Sequence, residues 1–415
     1  MTQHTSSHAV ESRSPVQSLR ASRIREVANA GMGRADVLPF WFGEPDEVTP
    51  SFIRDVAKQA LDEGDTFYTQ NFGLPALREA LAAYSSRLHR PTSAANIAVT
   101  SSGVSALMLV AQLLLNPGDR VVIVTPLWPN LVEIPKIVNA ESVTVSLKLN
   151  TTGDEPRWEL DLDELLDALT PGTRALLLNS PNNPTGWTIT REQQDIVLAH
   201  CRKHGIWLMA DDVYERLVYD QPAINAAGQP ACAPSFLDLA EPDERVVSTN
   251  SFSKSWLMTG WRLGWMQVPE SLMHDLGKLI EYNTSCAPGF VQKAGITAVE
   301  RGEEIVAHTI ARYTLARDYL FGQLSQPFFR DAGIIAPRPG GAMYLFFKMQ
   351  GVDDTLALCK RLVAEAGLGL APGSAFGPEG EGAIRWCFAS SIERLELGVQ
   401  RLEAFLKRNP RLTAA

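Results

Sequence analysis

Cysteine is scarce in this 415-residue chain: Cys201, Cys232, Cys286, Cys359 and Cys387 are widely scattered, with no Cys-x-x-Cys pair. An odd, dispersed set is neither a disulfide framework nor a metal knuckle, and it points to a reducing, cytoplasmic setting. Positive charge is also short. The 38 Lys and Arg against 47 Asp and Glu leave a net charge of −9, which argues against non-specific nucleic-acid binding and makes any anion site depend on local cations. No uninterrupted apolar run is long enough to span a bilayer, and the polar start MTQHTSSHAVESRSPVQ lacks the apolar core of a signal peptide. Residues 1–23 are expected to form a flexible arm. His200 and His204 lie four apart, on one helix face, but no glutamate stands where a zinc-protease motif requires it, so no metal site is expected. Gly31-Met32-Gly33 lacks the preceding strand and third glycine of a dinucleotide fingerprint and reads as a plain turn.

What is present is an ordinary globular composition, 45% apolar and 20% charged, in a chain long enough for two lobes. The segment 39–50, PFWFGEPDEVTP, is too dense in proline and aromatics for one regular element and reads as a crossing between lobes. A helix follows over 51–64, with Ser51 as cap, Phe52, Val56, Ala60 and Leu61 as its apolar residues and Gly64 as stop; a second covers 75–88. From Asn96 the pattern alternates strand, turn and helix: IAVT, SSGVSALMLVAQLLL, PGDRVVIVTP, then a helix over 131–139. With the buried strands ALLLNSP and IWLMADD, this predicts a largely parallel sheet covered by helices. Long helices over 290–300 and 303–324 lead to a second lobe with AMYLFFKM, a helix over 354–366, AIRWCFA, and a last helix over 392–408.

Chemistry concentrates in 249–264, TNSFSKSWLMTGWRLG. Lys254 lies just past the β-branched Val246-Val247 and is expected on a loop at a strand end. A desolvated lysine there forms a Schiff base with an aldehyde, and Arg262, eight positions on, is a fixed-charge fork for phosphate. Pyridoxal phosphate (PLP) offers both handles. Asp211 ends the run IWLMA, where a carboxylate can hold the pyridine nitrogen protonated, and Tyr214 is placed to meet the ring oxygen; an Asp pair at a strand end also serves as a helix cap. Ser102, Gly103 and Val104 lie between strand and helix, where backbone N–H groups meet a phosphate, with Ser251 beside them. Glycine is equally common at such turns without a ligand. Trp128 offers a flat face to the ring or fills a core. Asn183 sits in the rigid turn PNNPTG. Arg385, flanked by Ile384, Trp386 and Phe388, needs an anion; a substrate carboxylate or an internal Asp or Glu would serve.

These motifs, in this order, resemble the class I aminotransferases of the fold type I PLP enzymes. FGEPD, Tyr68 with Gly73, SSGVSAL, PLW, NSPNNPTG, DDVYE, SFSKSWLMTGWRLG and IRWCFA carry the resemblance over nearly the whole chain. It implies an α/β architecture: a large domain, 49–311, on a mostly parallel seven-stranded sheet between helices, and a smaller α+β domain from 24–48 and 312–415. It also implies that Lys254 is the Schiff-base lysine and proton shuttle, and that Asp211 pairs with the ring nitrogen. Asn183 and Tyr214 contact the ring oxygen, Trp128 stacks on the ring, and Ser102, Gly103, Val104, Ser251 and Arg262 hold the phosphate. Arg385 clamps the α-carboxylate, Gly43 closes over the substrate, and a homodimer lends Tyr68 to the neighbouring site. Substrates would be an amino acid and a 2-oxo acid in ping-pong order. Two departures stand out. Val104 has only its backbone N–H for phosphate, and the motifs place no second arginine for an acidic substrate side chain. Phe40, Phe42, Trp128 and Met343-Tyr344 suit apolar or aromatic substrates instead. A β- or γ-lyase uses the same constellation; a PLP-binding sensor would need a basic helix-turn-helix segment, for which the short N-terminal arm leaves no room.

Overall fold

The computed structural model describes residues 11–153, 155–222, 224–225 and 228–410. Its large sheet has seven strands in the order Ile97–Thr100, Gly264–Gln267, Val246–Ser251, Trp207–Asp211, Thr173–Asn179, Arg120–Thr125, Glu141–Ser146. Only Gly264–Gln267 runs against its neighbours; the other six point the same way. Short strands that are apolar on both faces can be covered only by helices on both sides, and alternate residues divide accordingly. Val121, Ile123, Ala175, Leu177, Met209 and Val247 pack with Leu107 and Val110 of the helix Gly103–Leu114 and with Leu276 of Glu270–Asn283. Val122, Val124, Leu176, Leu178, Leu208 and Ala210 face the opposite core, together with Val197 and Leu198 of the helix Arg191–His204.

A four-stranded antiparallel sheet, Ile334–Ile335, Tyr344–Met349, Ala383–Cys387, Ala371–Pro372, forms the second layer system. Leu38–Pro39 pairs with Leu368–Gly369, so the start of the chain joins its C-terminal third before the irregular crossing at 40–50. Of the expected N-terminal arm, residues 1–10 lie outside the described residues, Ser14–Gln17 makes one helical turn, and Arg23 begins a helix that runs to Gly31.

Several helices fall where the sequence puts them, among them Pro75–Leu88 and Ile392–Arg408. The helix Ser51–Asp62 uses only Ala60 of its expected apolar residues. Pro50, not Ser51, is its N-cap, and Ile53, Ala57 and Ala60 form the buried stripe, packed on Gly289–Arg301. The spacing 53, 57, 60 is one helix face; Phe52, Val56 and Leu61 lie off it, with Leu61 exposed and Phe52 under the Arg301 guanidinium. The helix expected over 354–366 is α-helical only through Thr355–Arg361 and closes in a π turn, Leu362–Ala366, stopped by left-handed Gly367. The helix Glu270–Asn283 was not expected, although its buried Met273, Leu276 and Ile280 keep the i, i+3, i+7 spacing of one helix face.

One buried charge cluster ties the first helices to the sheet edge. His89, just past Leu88, is hydrogen-bonded to Asp238 through Nδ1 (2.8 Å) and to Glu215 through Nε2 (3.2 Å). Burial disfavours its charge, but the two carboxylates outweigh that and push its pKa up to about 10 from 6.5. Replacing His89 by Ala would leave the buried Glu215 without its cation, while Asp238, partly exposed, keeps Arg191, and is expected to cost about 3 kcal/mol. Because the folded value lies above the unfolded one, this stabilisation is complete below about pH 6.5 and is lost as pH rises through about 10. Urea unfolding of both proteins at pH 6, 8 and 10 should show the gap narrowing with pH.

Candidate active site

Because the six co-directional strands end at one edge, the polar residues after them converge there. A cavity of 420 Å³ opens at that edge, lined by Gly103, Val104, Trp128, Asn183, Asp211, Tyr214, Ser251, Lys254 and Arg262 from the large sheet's side and by Gly43 and Arg385 from the other. Eleven of the thirteen residues singled out from sequence thus line one space. The other two do not. Ser102 is buried as the N-cap of Gly103–Leu114, its Oγ accepting from Ser105 N at 3.0 Å. Tyr68 is 90% exposed on the surface of this chain.

Lys254 sits on a one-turn helix, Phe252–Ser255, rather than a loop; Ser251 Oγ accepts from Ser253 N and fixes that turn. Its amine donates to Gly43 O and stands 5.7 Å from the centre of the Tyr214 ring. Burial, with Arg385 and Arg262 nearby, lowers its pKa to about 8. Asp211 lies in the opposite condition. Removed from water and next to Asp212, its carboxyl is pushed up to about 7.

Asn179, unmarked in the sequence reading although it begins NSPNNPTG, organises this edge. Its Nδ2 donates to Asp211 O (3.0 Å) and Oδ2 (3.2 Å), and its Oδ1 accepts from Asn183 N (2.8 Å). Asn183 Oδ1 in turn accepts from Arg385 Nη1 at 2.9 Å. The Tyr214 and Tyr344 hydroxyls are 2.7 Å apart. Gly43 has no room for a side chain, since a Cβ there would land on the Tyr344 hydroxyl.

Arg385 is 2% exposed, yet among the described residues no carboxylate pairs with it. Its guanidinium lies 4.4 Å from the Tyr344 ring centre and 4.8 Å from that of Phe376, and Nη2 donates to Trp41 O. Nε is buried without a partner. The internal acid that the sequence left open is therefore not there, and the open alternative is an anion from outside.

Gly103 and Val104 occupy the first turn of their helix, ahead of its first internal bond, Ala106 N to Ser102 O at 3.0 Å. Their N–H groups and the dipole face the cavity. Gly264 must be glycine, because a Cβ would stand 2.5 Å from Gly103 N. Arg262 is held in the left-handed region, φ 55°, a conformation uncommon for residues other than glycine, and its Nη1 donates to Thr259 O at 2.7 Å. Of the residues expected to shape the substrate pocket, Phe42, Trp128 and Tyr344 line the cavity, whereas Phe40 and Met343 turn into the core. Arg25, not anticipated, lines it too.

Residues 35–402 match the family model for aminotransferase class I and II. A probable N-acetyl-LL-diaminopimelate aminotransferase of Bacillus subtilis is 31% identical over 94% of each chain. The aromatic-amino-acid aminotransferase 2 of Thermococcus litoralis is also 31% identical, over 94% of this chain and 97% of its own. Among solved structures, an aspartate aminotransferase from Thermotoga maritima superposes with a TM-score of 0.83 at 30% identity, covering 95% of this chain and all of its own. Sequence, sheet order and the cavity at the strand ends agree: the chain belongs to the class I and II aminotransferase family.

Proposed function

We propose that the cavity binds PLP and transfers the amino group of an L-α-amino acid to a 2-oxo acid in two half-reactions. The observation that carries this reading is a set of charged groups, largely held out of water, with hydrogen bonds but no opposite charge paired to them. Among the described residues Lys254 and Arg385 have no acid in ion-pair contact and Asp211 has no cation, although all three line one space.

The residues present fit that cofactor. The free N–H groups of Gly103 and Val104, with Ser251 and Arg262, suit its phosphate. Asp211 suits a protonated ring nitrogen, whose charge would bring the carboxyl back down from about 7. Trp128 suits the ring face, and Asn183 and Tyr214 the ring oxygen. PLP, when bound, supplies an aldehyde for amino groups and a ring that withdraws electrons from the substrate's α-carbon.

The chain's own residues do the rest. Arg385 takes the α-carboxylate bidentately, held in place by Asn183 and by two aromatic faces. That fixes the Cα–H bond relative to Lys254 Nζ, which removes and carries the proton. An amine at about 8 is partly neutral at physiological pH and can act as base.

The same reading includes a homodimer and a cytoplasmic setting. Phe67, Tyr68 and Tyr282 are 82%, 90% and 90% exposed, a cost that a second subunit would remove, with Tyr68 entering its neighbour's site. All five cysteines are free thiols, in keeping with a reducing compartment.

Lys254→Ala is expected to abolish amino transfer, assayed by mixing each amino acid with several 2-oxo acids and identifying new amino acids, and to remove the visible absorption of lysine-bound cofactor. Full turnover by the variant would end this assignment, and release of ammonia by the wild type would indicate a lyase. The rate at which cofactor-free protein takes up PLP should rise with pH through about 8 and then level, because only the neutral amine adds to the aldehyde. Arg385→Lys keeps the charge but loses the fork; kcat/KM is expected to fall by about 10- to 100-fold, mostly through KM.

A further inference from the structure

One hydroxyl in the cavity has no task in the reading above. Tyr344 lines the same space as Lys254, Tyr214 and Arg385, yet it belongs to the other sheet, as the first residue of the strand Tyr344–Met349. Its ring is buried and held on two sides. The Arg385 guanidinium lies 4.4 Å from its centre, and the Tyr214 ring meets it nearly edge-on, at 5.8 Å and 80°. The hydroxyl occupies the place that a side chain on Gly43 would take. Among the described residues its hydrogen-bond partner is the Tyr214 hydroxyl alone, 2.7 Å away.

Counting donors gives that bond a direction. A guanidinium has donors only, so the Asn183 amide turns its oxygen to Arg385 Nη1, at 2.9 Å, and its NH2 the other way. That NH2 donates to the Tyr214 hydroxyl oxygen at 3.4 Å. The proton of Tyr344 has no acceptor other than Tyr214 among the described residues. The Tyr214 oxygen therefore accepts twice, which fills both lone pairs and leaves its own proton to be given outward, into the cavity. Burial pushes both phenols above their usual range, so neither gives up its proton to water near neutrality. A hydroxyl that accepts is also the stronger donor, because successive hydrogen bonds polarise one another.

We infer that Tyr344 is a positioning residue for amino transfer: by donating to Tyr214 it reserves the Tyr214 proton for the ring oxygen of PLP. The inference deepens the amino-transfer reading and rests on it. Phenylalanine would keep the ring under Arg385 and against Tyr214, so the hydroxyl alone carries the role.

The test is the equilibrium binding, to cofactor-free protein, of PLP and of its analogue lacking the ring hydroxyl. The wild type should prefer PLP, and Tyr344→Phe should shrink the ratio of the two dissociation constants by about 3- to 10-fold, the worth of one neutral hydrogen bond. A variant that merely loosened the cavity would weaken both compounds alike and leave the ratio standing. In a chain that already carries Tyr214→Phe, adding Tyr344→Phe should leave the ratio where it is. The holoenzyme offers a spectroscopic check: the pH at which the visible band of lysine-bound cofactor changes should rise by about half to one unit in Tyr344→Phe, because a ring oxygen less engaged by Tyr214 holds the proton of the lysine linkage more tightly. An unchanged ratio in Tyr344→Phe, or an equal fall with and without the Tyr214 hydroxyl, overturns the inference while the amino-transfer reading stands. A wild type that takes up neither compound overturns both.

Discussion

Parallel pairing lets a strand return only through a crossover, so strands that run the same way deliver their ends to the same edge. Here six strands do so, and the residues that follow Thr100, Thr125, Asn179, Asp211 and Ser251 all arrive at one cavity. The single reversed strand, Gly264–Gln267, sits between Ile97–Thr100 and Val246–Ser251 and returns Arg262 to that edge. Its first residue, Gly264, lets the helix start at Gly103 approach without a clash. Take away the common direction and the lysine, the aspartate and the helix N-terminus no longer share a space.

That edge is also where the structure tolerates charges it does not balance. Elsewhere buried arginines are satisfied: Arg317 pairs with Asp220 at 2.6 Å and Asp318 at 2.9 Å, and Arg216 pairs with Glu303. Around the cavity, burial instead shifts Lys254 downward and Asp211 upward, each toward its neutral form. Folding such groups without an opposite charge opposes stability, and hydrogen bonds hold them in register regardless: Asn179 donates to Asp211, and Lys254 donates to Gly43 O. A ligand carrying a cationic ring nitrogen and several anionic groups would relieve most of this at once, which couples binding to stability.

Strand positions and the motifs that line the cavity were legible because short apolar runs ending in polar residues are a local pattern, as in IWLMADD and NSPNNPTG. Helix faces were less so. Phe52, Val56 and Leu61 are apolar, but only a partner helix decides which stripe is buried, and here it is Ile53, Ala57 and Ala60. Asn179 was overlooked for a similar reason: an asparagine at a strand end is ordinary until Asp211 and Asn183 are seen on either side of it. Arg25, in an amphipathic helix of its own, carries no motif at all.

By itself the sequence determined the parallel sheet, the order of its motifs and the chemistry of Lys254, Asp211, Arg262 and Arg385, since side-chain type and local spacing are properties of neighbours along the chain. Only the tertiary structure decided that Arg385 meets no acid among the described residues, that Phe40 and Met343 belong to the core, and that Arg25 stands in the same cavity. Each of those facts concerns residues far apart in sequence, and burial and charge pairing are set by what the fold brings alongside them.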